Sequence, residues 1–330
     1  MLESHRALLW KVCYRMTGSA ADADDLVQET FARALERPPA DLERDLRPWL
    51  LRVAINLSRD QLRARKRRAY VGPWLPSPIE TELDAAVLEL DRSGERSPEA
   101  RYSELESVSM AFLVALEALS SSQRAVLLLR DVLGYSVAET AVVLDMTESN
   151  IKTTHHRARA ALEAYDQERL PPLPELQAAT RDALHNFMFH MLLGNTRALE
   201  KLLAEDVRAL NDSDGEYFAA RKPIEGRDKV ILFHLKTGHE RPAMFAVREI
   251  NGLPALVLWF PSDGERRLAP RAVATVRINA AGQITVLDTI VAKAKLGHVR
   301  FMPTPRQARP GPLRSFIKYI VDGLVFSLTA

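Results

Sequence analysis

The chain has a single cysteine, Cys13, among its 330 residues. That excludes a disulfide framework and a cysteine-based metal site, and it suits a reducing compartment, so a cytoplasmic location is expected. A long apolar run is also missing. The opening residues MLESHRALLWK hold none, and no signal peptide is expected. The apolar stretch 313–328 is broken by Lys318 and Asp322 and falls short of the roughly 20 residues that cross a bilayer, so no membrane span is expected. Net charge is nearly absent: 45 basic against 43 acidic residues leave +2. Bulk electrostatics therefore does not announce nucleic-acid binding. There is no internal repeat, no HExxH pattern, no phosphate-binding glycine loop and no Ser-His-Asp order.

What is present is local. Residues 22–29 (DADDLVQE) carry four acids and no base. Residues 47–68 carry eight bases against one acid, Asp60. Residues 80–106 swing back to nine acids and three bases. Such alternation suits separate surfaces for separate partners, although any one run also fits a solvated helix face.

The length suits two or three domains. Residues 1–70 read as helical. Ser19 with Asp22 forms a helix start, and Leu26, Val27, Thr30, Phe31 and Ala34 form an apolar stripe. Pro48 sits in the first turn of a helix whose Trp49, Leu50, Val53, Ala54, Leu57 and Leu62 face inward. Residues 71–106 read as a linker broken by Gly72, Pro73, Pro76 and Pro78, with a short helix around Leu83, Ala86, Val87 and Leu90. Residues 107–166 are helical again, with capping boxes at Ser120/Gln123 and Ser136/Glu139. From 174 to 302 an amphipathic helix (Ala183, Leu184, Phe187, Met188, Met191), a helix ending near Leu203 and a helix over 226–237 precede strands at 243–250, 254–260, 271–278 and 284–292. Asn251-Gly252 marks a hairpin between the first two strands. An α+β domain with a twisted antiparallel sheet is expected. A tail, 303–330, ends in a helix bearing Phe316, Ile317, Ile320, Leu324 and Val325, which packs on its own domain or latches onto the rest.

The stretch 136–164 carries the most chemistry. A helix from Ser136 turns Val137, Ala141 and Leu144 inward, Asp145-Met146-Thr147 make a turn, and Thr147 caps a second helix. There Ser149, Lys152, Thr153, His156 and Arg157 share one face, with Asn150 beside them, and Ile151, Thr154, Ala158, Ala161 and Leu162 lie opposite. This is what a helix-turn-helix needs: one face to seat the helix, one to meet the major groove. Lys152, Arg157 and Arg159 suit phosphates, and Ser149, Asn150 and Thr153 are short enough for base edges. An ordinary helical hairpin shares much of this pattern. His155 and His156 point about 100° apart, which disfavours a metal site and suits phosphate or solvent contact. Residues 47–68, with Trp49, Asn56 and Tyr70 nearby, combine basic and aromatic side chains that suit melting DNA; a solvated basic helix end is the alternative.

The order of these segments resembles the extracytoplasmic-function sigma factors. Residues 22–35 (DADDLVQETFARAL) are similar to the helix such proteins dock on core RNA polymerase, 47–62 (RPWLLRVAINLSRDQL) to the segment that reads and opens the minus-ten element, and 124–162 to the minus-thirty-five reader. The resemblance implies two all-α sigma domains, 1–70 and 107–166, that bind bacterial core RNA polymerase and promoter DNA, with no cofactor and no enzymatic role. It places Asp24, Asp25, Leu26, Gln28 and Phe31 on polymerase. Asn56, Arg59, Arg63, Arg65, Lys66, Arg67 and Arg68 fall on the minus-ten region, and Ser149, Asn150, Lys152, Thr153, His156 and Arg157 on the minus-thirty-five region.

The remainder is similar to the SnoaL-like cone domain borne by a subset of that family. In that subset the linker carries a Trp-Leu-Pro motif, matched by Trp74, Leu75 and Pro76. An Asp-Gly-rich motif is matched by Ser213-Asp214-Gly215-Glu216 without its further glycines, and a later motif is reduced to Ala292-Lys293-Ala294-Lys295-Leu296. The linker motif is expected to dock on the C-terminal domain and regulate the sigma core, by activation or inhibition. Tyr217, His234, Trp259 and Asp288 are candidate pocket residues, each more often structural. A small-molecule ligand and an anti-sigma partner stay open. The rivals are a helix-turn-helix regulator that works without polymerase and a ligand-binding or enzymatic domain with accessory DNA binding.

Overall fold

The computed structural model describes residues 2–38, 45–81, 101–238, 244–260 and 268–301. The linker helix expected near 83–90 and the tail 303–330 lie outside the described residues.

Three helices open the chain: α1 (Arg6–Thr17), α2 (Ala20–Glu36) and α3 (Arg47–Arg67). Gly18, at φ 67°, ends α1 in the left-handed region, and the Ser19 hydroxyl accepts the Asp22 amide at 3.2 Å to start α2. Leu9, Val12, Met16, Val27, Leu50 and Leu62 pack together as their spacing requires. After an extended segment the chain forms α4 (Glu104–Val108), α5 (Met110–Ala115) and α6 (Ser121–Leu127), which runs into one π-helical turn, Leu128–Val132. Then come α7 (Val137–Leu144), α8 (Glu148–Ala161) and α9 (Glu163–Glu168). Both capping boxes form, at Ser120/Gln123 and Ser136/Glu139. The two helical groups share one apolar core rather than standing apart.

The C-terminal part has α10 (Pro174–Leu193), α11 (Thr196–Leu202), β1 (Leu203–Asp212), β2 (Ile224–Glu225), α12 (Arg227–Gly238), β3 (Met244–Ile250), β4 (Leu253–Trp259), β5 (Arg271–Ile278) and β6 (Ile284–Ile290). The sheet order is β2-β1-β6-β5-β4-β3. It is mixed, not antiparallel throughout, because β1 runs parallel to β6. The parallel pair arises because β1 precedes α12 and the chain returns from β5 by a hairpin. Asn251 and Gly252, at φ 53° and 81°, make the turn between β3 and β4, both central residues left-handed as a two-residue hairpin demands.

The sheet buries two faces. One, with Val207, Leu256, Val276 and Leu287, packs under α10–α12 through Leu184, Phe187 and Val230. The other, with Ala255, Val257, Val273 and Ile290, receives Leu75 from the linker and Met110 from α5. Burying a leucine there, at 1% exposure, contributes about 2 kcal/mol. One apolar face of the α+β domain is therefore covered in part by the linker and by the helical part of the chain.

Candidate nucleic-acid interface

The turn between α7 and α8 is built by Asp145, left-handed at φ 55°, and by the Thr147 hydroxyl, which accepts the Asn150 amide at 3.3 Å. Thr140, Val143 and Leu144 are the buried residues of α7, and Ile151 and Ala158, both at 0% exposure, are those of α8. Ser149, Asn150, Lys152, Thr153, His156 and Arg157 are all exposed. Lys152, Thr153, His156 and Arg157 line a shallow open depression. The carboxylate of Asp131, on the π turn, takes His155 Nε2 at 2.9 Å and Arg159 Nε and Nη2 at 3.0 and 2.5 Å. Arg159 is thus paired to Asp131 although its side chain is 42% exposed, and His155 is tied down at 14% exposure. Burial pushes the Asp131 carboxyl up, but the hydrogen bonds and charges of His155 and Arg159 outweigh it and hold the group below the usual range. A π turn leaves no mark in sequence, so this pairing was not legible there.

On α3 the basic residues divide. Asn56 is exposed, Arg63 pairs with Asp60 one turn back, and Lys66, Arg67 and Arg68 are exposed at the helix's C-terminal end, where positive charge is favoured. The others are held by the second helical group. Arg52 donates to the carbonyls of Val142 and Val143 on α7. Arg59 donates to the Ser122 hydroxyl at 2.9 Å. Arg65 meets both Glu117 oxygens at 2.8 and 2.7 Å and the Thr17 carbonyl at 2.6 Å, while its guanidinium lies 3.9 Å from the Trp74 ring centre. Glu117 also accepts from Arg124, 2% exposed, at 2.9 Å. In this arrangement Arg65 is clamped between a carboxylate and an indole.

On α2, Asp25 and Gln28 are exposed. Leu26, expected to face polymerase, is 8% exposed and packs in the core. It sits on the same stripe as Thr30 and Ala34. Phe31 is half-buried with the Arg6 guanidinium 5.1 Å from its ring centre. Asp24 accepts Trp10 Nε1 at 2.6 Å and meets His298 Nε2 at 3.0 Å, so the C-terminal part reaches the acidic helix.

The linker motif is held at Asp212, 0% exposed. That carboxylate accepts the Tyr70 hydroxyl, the Leu75 amide at 2.7 Å and Lys295 Nζ at 2.6 Å. Lys295 also donates to the Leu75 carbonyl at 2.5 Å and lies 4.4 Å from the Trp74 ring centre, so the indole meets a second cation besides Arg65. Burial pushes the Lys295 ammonium down to about 8 despite Asp212. Trp74 packs on Gly18, where any Cβ would sit 2.6 Å from the indole. Asn251 makes a second joint. Its amide donates to Tyr14 Oη at 2.8 Å and to the Val108 carbonyl at 2.7 Å, and its Oδ1 accepts the Ile79 amide at 2.9 Å. Neither Asp212 nor the second role of Asn251 was read from the sequence; Ser213–Glu216 next door was the visible signal for the first.

The four pocket candidates do not converge. His234 lies on α12 among the helix-side apolar residues, edge-on to Phe187 at 5.6 Å, with Nδ1 2.9 Å from the Val230 carbonyl, and burial lowers its pKa. Asp288 follows Leu287 of the helix-side core and shares the opposite sheet face with Ile290. Burial raises its pKa although Arg277 stands 3.6 Å away. The sheet separates the two. Trp259 is 5% exposed at the end of β4, and Tyr217 is half-buried before β2. Among the described residues no cluster of metal-ligating side chains occurs, and no helix is long and apolar enough to cross a membrane.

The Sigma-70 region 2 family model matches residues 1–68, and the Sigma-70 region 4 model matches residues 109–162. The ECF RNA polymerase sigma factor SigJ of Mycobacterium tuberculosis is 35% identical over 289 residues, covering 83% of this chain and 86% of that protein. The probable ECF RNA polymerase sigma factor SigI of the same organism is 31% identical over 303 residues, covering 90% and 94%. The crystal structure of SigJ matches with a TM-score of 0.66 at 27% identity, covering 89% of this chain and 96% of that one. Two helical domains in sigma order, a helix-turn-helix with its polar face outward and a C-terminal α+β domain shared with SigJ place the chain in the extracytoplasmic-function family of RNA polymerase sigma factors.

Proposed function

We propose that this chain is a promoter-selecting subunit of bacterial RNA polymerase whose C-terminal domain braces the linker between its two DNA-reading domains. The observation that carries the reading is the exposed polar face of α8 on a seated helix-turn-helix, in a chain whose other helical domain belongs to the same family. Asp25, Gln28 and the exposed edge of Phe31 meet core polymerase. Asn56, Arg63, Lys66, Arg67 and Arg68, joined by Arg59 and Arg65 once the two helical domains part, meet the minus-ten region. Ser149, Asn150, Lys152, Thr153, His156 and Arg157 meet the minus-thirty-five region. Polymerase supplies the chemistry, and the work takes place with DNA in the cytoplasm.

The brace is the Asp212–Lys295–Trp74 joint together with the Asn251 turn, and the C-terminal domain acts through it rather than as an enzyme. Support comes from the separation of its titratable side chains by the sheet and from the use of one sheet face to hold Leu75 and Met110. Promoter engagement requires α7 to leave α3, since Arg52, Arg59 and Arg65 are otherwise occupied.

Run-off transcription with bacterial core polymerase on a promoter selected from genomic DNA tests the reading. Initiation is expected to depend on the full-length chain and to fall at least about tenfold with Asp25→Arg, as a reversed charge at an interface does. A folded protein that binds the promoter but neither initiates nor pulls down polymerase would instead be a polymerase-independent regulator.

A further inference from the structure

The recognition helix has a flank as well as a seat and a reading face. Ile151 and Ala158 seat it through apolar contact, which is non-directional and leaves rotation about the helix axis weakly fixed. His155 and Arg159, one turn apart, lie between the seat and the reading face, and both end on Asp131. Arginine meets a carboxylate through two parallel bonds, which set an angle as well as a distance. Asp131 is itself over-determined. It is 1% exposed, sits on the π turn that ends α6, and its main-chain carbonyl accepts the amides of Arg101 and Tyr102 at 2.8 and 2.9 Å. Those two residues are tied in turn to Asp166 on α9, at 2.7 and 2.8 Å.

We propose that Asp131 is a positioning residue for promoter discrimination: it sets the rotation at which α8 presents its reading face, and it withholds two nitrogen-rich side chains from phosphate. The inference rests on α8 being the recognition helix. It has a signature that a purely structural role lacks. Removing the Asp131 charge releases Arg159 to any DNA, so sequence-independent binding holds or tightens. Releasing the angle weakens only the binding that depends on base contacts. A residue needed merely for folding lowers both together.

The test uses the full-length chain with core polymerase, in competition binding to a promoter fragment and to the same fragment with its minus-thirty-five element scrambled. With Asp131→Asn the ratio of the two affinities is expected to fall about tenfold, the worth of roughly one base contact, while binding to the scrambled fragment is unchanged or tighter. Arg159→Lys keeps the charge and loses the paired bonds; it is expected to lower the ratio too, and it decides the matter if Asp131→Asn does not fold. An unchanged ratio in either folded variant, or an equal loss on both fragments, overturns the proposal. Asn150→Ala, at an exposed side chain short enough for a base edge, is measured alongside. If it alone lowers the ratio, only the positioning role fails; if it too leaves the ratio unchanged, the reading of α8 fails first.

Discussion

Glu80 joins three parts of the chain through one carboxylate. It accepts Arg248 Nη1 at 2.6 Å, the Arg300 amide at 3.0 Å and Arg300 Nη2 at 3.0 Å, and its own amide donates to the His298 carbonyl at 3.1 Å. Burial raises its pKa, and the bonds from Arg300 and Arg248 more than reverse this, leaving it below the ordinary 4.5. A carboxyl depressed in the folded state binds its proton more tightly when unfolded. Its stabilisation is therefore complete above 4.5 and is lost as pH falls through the lower folded value. Amide exchange at Glu80 and Thr81, corrected for intrinsic rates, is expected to hold steady from neutral pH to about 5 and to accelerate below the ordinary carboxylate range. Glu80→Gln removes that acid step and leaves a weaker but pH-independent contact. The same acid step in both proteins would show that the titration belongs to another group.

At the scale of the element, the Asn251-Gly252 turn shows what a sequence does and does not carry. Its backbone role was legible: asparagine followed by glycine between two apolar runs specifies a tight hairpin, and both residues are left-handed. Its side-chain role was not, because the partners of Asn251 lie 237, 143 and 172 residues away at Tyr14, Val108 and Ile79. The helix-turn-helix was legible for the opposite reason, since its caps and its seat all fall within 136–162. β1 was missed because Glu205, Asp206 and Arg208 interrupt its apolar residues and a register shift breaks its pairing with β6. Asn251→Gly keeps the left-handed turn and deletes three buried hydrogen bonds, leaving the Ile79 amide and the Val108 carbonyl without this partner. It is expected to cost about 2–4 kcal/mol, read as a lowered midpoint of thermal unfolding. Faster exchange at Ile79 should accompany it, with the β3–β4 amides unaffected. A loss confined to the β3–β4 amides would mean that the turn matters only to its own hairpin.

For the whole molecule the decisive feature is that the two helical domains on either side of the linker share one core. The sequence of α3 shows a basic helix and gives no sign that Arg52, Arg59 and Arg65 are bonded to the second helical domain, because carbonyl acceptors on α7 have no sequence signature. Glu117 is an acceptor at the joint, paired to Arg65 of the first helical domain and to Arg124 of its own. Arg124 keeps the carbonyls of Met16 and Leu116 as acceptors at 2.8 and 2.6 Å without it. Arg65 loses its only carboxylate among the described residues. Glu117→Gln retains an acceptor for Arg124 and so leaves the fold intact while removing the charge that withholds Arg65. DNA binding by the free protein is expected to tighten, and the dependence of log affinity on log salt to steepen by about 0.9, the release of one further counterion. Fluorescence anisotropy across a salt series measures both. Tighter binding with the steeper slope assigns Arg65 to the phosphate-contacting set once the domains part. An unchanged slope would mean that Trp74 and the Thr17 carbonyl hold Arg65 without Glu117, and that separation needs polymerase to pull α7 away.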